Sequence, residues 1–428
     1  MIKKIIISIM LIVLTIFVLG CDKKVDSDDM FIPPVDVVPV DNNGATPQAV
    51  DSVVDGNNKF AIDMYNQLKD QTGNVFFSPY SISSALAMTY EGAKGQTAEE
   101  MKNVFYFPED GLAMRSSFAE LYNVLNKPDK EYTLSTANAL WAEQSYTFLP
   151  EYLGLVEQYY GGKTINLDFK EETEKSRKTI NDWVEDQTNN KIKDLIPVGV
   201  LDPYTKLVLT NAIYFYGNWS NQFEKEDTRD KDFFITPDNP VEVEMMAMYN
   251  DMFNYAESDG LQILKMPYKG NELSMLFILP EQEQMDKLED DLSAENLMKW
   301  NNKLEREKVN LFLPKFKFET KTMLADTLYK MGMPTAFTFP IADFSGMDGT
   351  KSLIIDEVIH QAFVEVNEKG TEAAAATAVV MTKTMAMRPG PEPEKPKIFN
   401  ADHPFIFLIQ EDSTGSILFM GKVVDPSK

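Results

Sequence analysis

The sequence predicts an α+β fold, and three observations carry that prediction. Apolar residues recur at helical spacing in the first half of the chain, as in Phe60, Ile62, Met64, Tyr65 and Leu68. Strand-like runs are denser in the second half. The two kinds of segment do not alternate as a regular βαβ series would, which argues against a parallel α/β sheet. With 428 residues, 44% of them apolar, the chain can bury a large core.

The chain begins with Lys3 and Lys4, then runs from Ile5 to Gly20 interrupted only by Ser8 and Thr15, and reaches Cys21. A basic start, a short apolar stretch and a small residue before the cut predict a secretory signal over residues 1–20. The run is short for a membrane span, and the charged Asp22-Lys23-Lys24 follows at once. Val18-Leu19-Gly20-Cys21 resembles the bacterial lipobox, whose cysteine is acylated and becomes the first residue. Leu19 is larger than that slot usually holds. Lipidation at Cys21 is the expectation, with simple cleavage and a free thiol as the alternative. Cys21 is the one cysteine, so no disulfide, thiol nucleophile or cysteine metal site is available elsewhere.

Residues 21–56 are polar, acidic and proline-bearing, and read as a disordered tether. The folded domain is expected over 57–428, with its first helix stopping before Gly73. Further helical patterns cover Ser81–Gly92 and Thr179–Gln187. Strands are expected at Lys206–Tyr216, Leu273–Leu279, Val309–Phe312, Ala362–Val366 and Phe405–Gln410.

Charge and composition exclude several functions. Lys and Arg total 41 against 66 Asp and Glu, a formal net charge of −25, which is wrong for a nucleic-acid partner. No basic helix face stands out, so no heparin-type activator is expected. The two histidines, His360 and His403, lie outside any HExxH helix, and no nucleophile elbow, phosphate loop or dinucleotide fingerprint is present. No cofactor, metal or enzymatic activity is expected, although a triad or carboxylate pair assembled in space is not excluded by spacing alone.

The distinctive stretch runs from Val364 to Met385. Propensity favours a short helix over Thr371–Ala378, because of its alanines. At period two, however, Thr371, Ala373, Ala375, Thr377, Val379 and Met381 form an uncharged face, while Glu372 points the other way. No proline lies between Thr371 and Met387, so every amide there can donate to a central ladder. Gly370 supplies a hinge at the start. This loop is chemically able to become a strand.

Glu368-Lys369-Gly370-Thr371-Glu372-Ala373-Ala374-Ala375-Ala376 resembles the hinge of the serpin family. Asn74-Val75-Phe76-Phe77-Ser78-Pro79-Tyr80-Ser81-Ile82 resembles the family's early signature, which implies that Ser78 and Ser81 belong to a shutter beneath the main sheet. Thr210-Asn211-Ala212-Ile213-Tyr214-Phe215 with Gly217-Asn218-Trp219 is similar to the strand supplying the shutter asparagine (Asn211) and the breach tryptophan (Trp219). His360 falls where the family places its shutter histidine. Leu313-Pro314-Lys315-Phe316, Asp402-His403-Pro404-Phe405 and Leu418-Phe419-Met420-Gly421-Lys422-Val423 complete the likeness.

The resemblance implies three β-sheets, about nine helices and an exposed reactive-centre loop. It also implies an irreversible, suicide-type inhibitor, which is not an enzyme. A serine protease, and as a further target a cysteine protease, attacks the loop and forms an acyl-enzyme. The hinge side then inserts as a strand and carries the protease away in a covalent 1:1 complex. About 16 residues of strand span roughly 50 Å. Counting 16 residues on from Glu368 gives Thr384, so the expected reactive bond is Thr384–Met385, with Lys383–Thr384 next. Trypsin-like enzymes would want Lys383, elastase-like ones Thr384, and a chymotrypsin-like one Met385. Arg388 is followed by Pro389, which most trypsin-like enzymes reject. The segment Met385–Lys397 is longer and richer in proline than the family pattern. The protein is expected to be an exported monomer, lipid-anchored to the cell membrane or surface, with its domain periplasmic or extracellular. A non-inhibitory serpin-like binding protein and an unrelated solute-binding lipoprotein are the alternatives.

Overall fold

The computed structural model describes residues 39–127, 130–371 and 395–428. Its helices are α1 (Pro47–Leu68), α2 (Pro79–Tyr90), α3 (Gly95–Phe105), α4 (Gly111–Leu125), α5 (Pro150–Tyr160), α6 (Phe169–Gln187), α7 (Met285–Asp291), α8 (Ala294–Asn302), α9 (Ala325–Met331) and α10 (Ser345–Asp348). The strands of the first half are β1 (Val75–Phe77), β2 (Tyr132–Glu143), β3 (Lys163–Leu167), β4 (Leu207–Asn218), β5 (Arg229–Thr236), β6 (Asn239–Ser258) and β7 (Leu261–Pro267). Those of the second are β8 (Leu273–Pro280), β9 (Glu305–Pro314), β10 (Phe316–Met323), β11 (Glu357–Asn367), β12 (Gly370–Thr371), β13 (Lys397–Asn400), β14 (Phe405–Glu411) and β15 (Ile417–Val423). The α+β class expected from the sequence is the one observed.

Among the described residues the strands form two hydrogen-bonded sheets. One follows the order β1-β15-β14-β8-β7-β6-β9-β13, with β5 on β6, and the other β10-β11-β12-β4-β2-β3. The third sheet expected from the sequence is continuous with the first. The long strand β6 pairs with β9 on both sides of a register shift between Met248 and Asp251, so one ladder runs through both halves. Ten α-helices occur among the described residues against the nine or so expected, and α10 is a single turn.

Folded structure starts earlier than the sequence suggested. Thr46 accepts the N–H of Ala49 and Pro47 opens α1, a favourable helix start. Val50, Val53 and Val54 are buried at helical spacing, a pattern that the intervening Asp and Ser residues obscured. Residues from Pro47 to Gly56, expected in the tether, are therefore helical, and Val40 already bonds to Asn123. Helix α2 is buried on nearly every face, with Ser78 capping its first turn through a bond from Ser81 N–H.

Both faces of the six-stranded sheet are covered. Along β4, Leu207, Leu209, Ile213 and Phe215 enter the main core, whereas Val208 and Ala212 face a second core built on α6. Period-two alternation thus assigns each residue a side. Asn211 and His360 belong to the main-core side, where α2 lies.

Candidate functional site

The six-stranded sheet has an unusual centre. Strands β4 and β11 are parallel and pair directly from Glu357 opposite Val208 to Phe363 opposite Tyr214. Beyond Tyr214 they part, and β12 lies between them. Gly370 and Thr371 pair with Asn218 and Gly217 on one side, and with Asn367 and Val366 on the other. The seam is therefore split at one end and closed along the rest.

A buried polar cluster holds the closed part. Ser78 N–H donates to His360 Nε2 at 3.1 Å, so that nitrogen carries no proton. The Nδ1–H then donates to Asn211 Oδ1 at 2.5 Å. Asn211 Nδ2 donates to Ser81 Oγ at 2.5 Å and to Asn138 Oδ1 at 2.6 Å. Ser78 Oγ donates to the carbonyl of Leu418 at 2.6 Å. Burial pushes the His360 pKa down to about 3, so the ring is neutral near pH 7. Ser78, Ser81, Asn211 and His360 are each bonded within this cluster, which makes it cohesive despite its burial.

A second cluster surrounds the split end. Trp219 Nε1 donates to the carbonyl of Asn367 at 3.0 Å, and Trp219 N–H to that of Lys369 at 2.7 Å. The indole stacks on Tyr268 at 4.6 Å between centroids, and the Tyr268 hydroxyl meets Thr371 Oγ1 at 2.6 Å. Glu368 accepts from Thr228 Oγ1 at 3.0 Å and lies 3.5 Å from Lys315 Nζ. A polar cavity of about 410 Å³ opens there, lined by Lys225, Arg229, Asp230 and Glu244 besides these three.

Two sequence expectations change in detail. Gly370, expected as a hinge, is not among the glycines with positive φ. A Cβ there would sit 2.0 Å from the Gly217 carbonyl oxygen, so glycine is required by the close approach of two backbones. Thr371 is already buried, at 1% exposure, so its entry into the sheet is not a later event. Cys21, Glu372, Ala373, Ala374, Ala375, Ala376, Lys383, Thr384 and Met385 lie outside the described residues. Ser78, Ser81, Asn211 and His360 come together in one cluster, while Trp219, Glu368, Lys369 and Thr371 gather at the split end.

Sequence reasoning missed Asn138, Tyr268 and Thr228. Asn138 was findable as a lone amide on the apolar strand Ala137-Asn138-Ala139-Leu140-Trp141. Nothing local marks Tyr268 or Thr228, because their partners lie far away in the chain. His403 serves elsewhere: Nδ1 lies 2.8 Å from Asp402 Oδ1 and Nε2 2.7 Å from the Pro280 carbonyl. Burial pulls its pKa down, but these two acceptors together raise it above its ordinary value.

Among the described residues no helix is long and apolar enough to cross a membrane, and no cluster of His, Cys, Asp and Glu could hold a metal.

The family model described as Serpin (serine protease inhibitor) matches residues 55–426. An uncharacterised serpin-like protein of Thermococcus kodakarensis is 46% identical over 375 residues, covering 87% of this chain and 86% of that protein. Leukocyte elastase inhibitor A of Rattus norvegicus is 42% identical over 382 residues, covering 86% of this chain and 98% of its own length. The structure of human thyroxine-binding globulin, complexed with thyroxine, superposes with a TM-score of 0.80 at 33% identity, covering 89% of this chain and 100% of that one. The chain belongs to the serpin family.

Proposed function

We propose that this chain is an irreversible inhibitor of serine proteases that works by inserting its own loop as a strand. The observation that carries the reading is the half-split seam between β4 and β11. Extending the β12 register puts Val380 opposite Val208 on one side and Glu357 on the other. Those two residues face each other in the closed seam, so one added strand fits both neighbours without a register slip. It would convert a parallel pairing into two antiparallel ones, a slightly more stable arrangement per residue. Thr371, Ala373 and Ala375 share one face, and small side chains there enter the core side easily.

The chemistry precedes the movement. The protease serine oxygen attacks the Thr384 carbonyl, the Thr384–Met385 bond breaks, and the proton leaves on the new Met385 amine. An ester joins protease and inhibitor. Insertion then competes with water for that ester, and carries the enzyme away from the split end. The rat relative's name, an elastase inhibitor, supports an elastase-like target acting at Thr384, with a trypsin-like enzyme at Lys383 beside it. The likeness to a thyroxine-binding protein favours a second reading, a non-inhibitory carrier. The small, uncharged face of Thr371, Ala373 and Ala375, which suits insertion into a sheet, favours the inhibitor.

Incubation with elastase, trypsin, subtilisin and a papain-like enzyme tests the reading. A higher-mass band of one inhibitor and one protease should survive boiling in detergent. Clean digestion by every enzyme would overturn it. Cys21 is proposed as the lipid attachment that holds an exported, monomeric domain at a membrane. Cys21→Ser should then abolish lipid labelling and release the protein from membranes, whereas retention would refute the anchor.

A further inference from the structure

The closed end of the seam carries its own fastening, distinct from the cluster around His360. Asp356, just before β11, reaches across to the start of β4. Its Oδ2 accepts the N–H of Lys206 at 2.6 Å and that of Leu207 at 3.0 Å. Its backbone N–H donates to the Leu207 carbonyl at 3.0 Å. Lys206 adds a bond from Nζ to the Ser352 carbonyl at 3.0 Å, and its ammonium lies 4.1 Å from the Phe339 ring centroid. A single carboxylate thus bridges the two strands where a ladder bond alone would end.

Register shows what this fastening opposes. A strand extended from β12 meets Leu207 and Asp356 at Met381, one residue past the last direct β4–β11 pair. The backbone groups that Met381 would need are those already engaged by Asp356. Insertion that reaches Val208 and Glu357 strains the bridge next to them, and insertion as far as Thr384 has to break it.

Resting on the insertion reading above, we propose that Asp356 is a positioning residue that gates the last stage of insertion. With the bridge closed, the intact protein resists spontaneous insertion. After cleavage, its rupture sets the final step by which the ester-linked protease is carried to the far end of the sheet.

The test compares wild type, Asp356→Ala and Asp356→Asn in the full folded chain, with a protease that the wild type traps. Alanine should speed both insertion after cleavage and spontaneous loss of inhibitory activity on storage by roughly tenfold, the scale of one net charge-assisted hydrogen bond. Asparagine keeps an acceptor oxygen and should stay close to wild type. Should alanine fail to fold, Asp356→Ser, too short to reach both N–H groups, should show the same acceleration. The cleaved, fully inserted forms should melt together in all variants, because the bridge is already broken in them. Equal insertion rates in wild type and alanine, or a melting shift of the cleaved form as large as that of the intact one, would overturn the gate. If the wild type traps protease but the variants do not differ, only the gate fails. If the wild type takes up no strand after cleavage, the insertion reading fails and the gate falls with it.

Discussion

The two sheets border one core, yet their centres are built from different chemistry. In the nine-stranded sheet β8, β14 and β15 are buried along their whole length and apolar at their middles, with the buried polar residues Ser274, Gln410, Glu411 and Lys422 near the strand ends. Phe76 stacks on Phe419 at 5.2 Å and on Phe407 at 5.6 Å, and Phe407 also packs on Phe316. The six-stranded sheet instead places Thr210, Asn211, His360 and Gln361 in the two strands of its seam, all buried. Apolar packing recovers nothing when its surfaces part, since water cannot replace it favourably. A hydrogen bond lost from a seam can be replaced by one to an incoming strand. On the proposed mechanism, the contrast separates a scaffold that stays shut from a sheet that opens.

Breaking that contrast should produce effects of descending size. The largest is expected from Ala373→Arg, two residues beyond Thr371 on the same period-two face. An inserting arginine would enter the core side unpaired, at a cost of several kcal/mol. Inhibition should give way to turnover, with many inhibitor molecules consumed per protease trapped and the intact fold unchanged. Thr371→Arg is a poorer probe, because Thr371 is buried and bonded to Tyr268 before any cut.

Phe407→Ala should come next. Deleting a fully buried ring from the nine-stranded sheet should cost about 3–5 kcal/mol in denaturant unfolding. The loss should be the same in intact and cleaved protein, because that sheet does not change. A loss confined to the intact form would erase the distinction between the sheets.

The smallest effect near neutral pH belongs to His360. Its folded pKa, about 3, lies below the ordinary 6.5 of an exposed imidazole. The unfolded chain therefore binds a proton that the native cluster refuses, and stability falls as pH drops from 6.5 towards 3. His360→Asn should flatten that acid limb. His403 has the opposite sign: its raised pKa stabilises the fold fully below 6.5 and loses that contribution as pH rises through the folded value. An acid limb unchanged in the variant would show that His360 does not titrate this way.

Much of this was legible in the sequence, for identifiable reasons. Strands β4, β8, β11 and β14 announce themselves because apolar runs of that length have few other uses. The Ser78, Asn211 and His360 cluster was legible only through its likeness to a family. A buried serine has no local signature that distinguishes it from any helix cap. Helix α1 begins ten residues before the expected domain boundary at 57, because Asp51 and Ser52 interrupt the apolar spacing of Val50, Val53 and Val54. The bridge at Asp356 was invisible for a different reason. Its partners, Lys206 and Leu207, are 150 and 149 residues away, and only tertiary structure brings them together.

The central claim is that the six-stranded sheet lacks a strand which the chain itself can supply. Thermal unfolding of the intact domain and of the same domain nicked between Lys383 and Met385 tests it directly. Filling the seam replaces one parallel ladder with two antiparallel ones, so the nicked protein should melt at a clearly higher temperature. A nicked protein that melts at or below the temperature of the intact one would contradict the account.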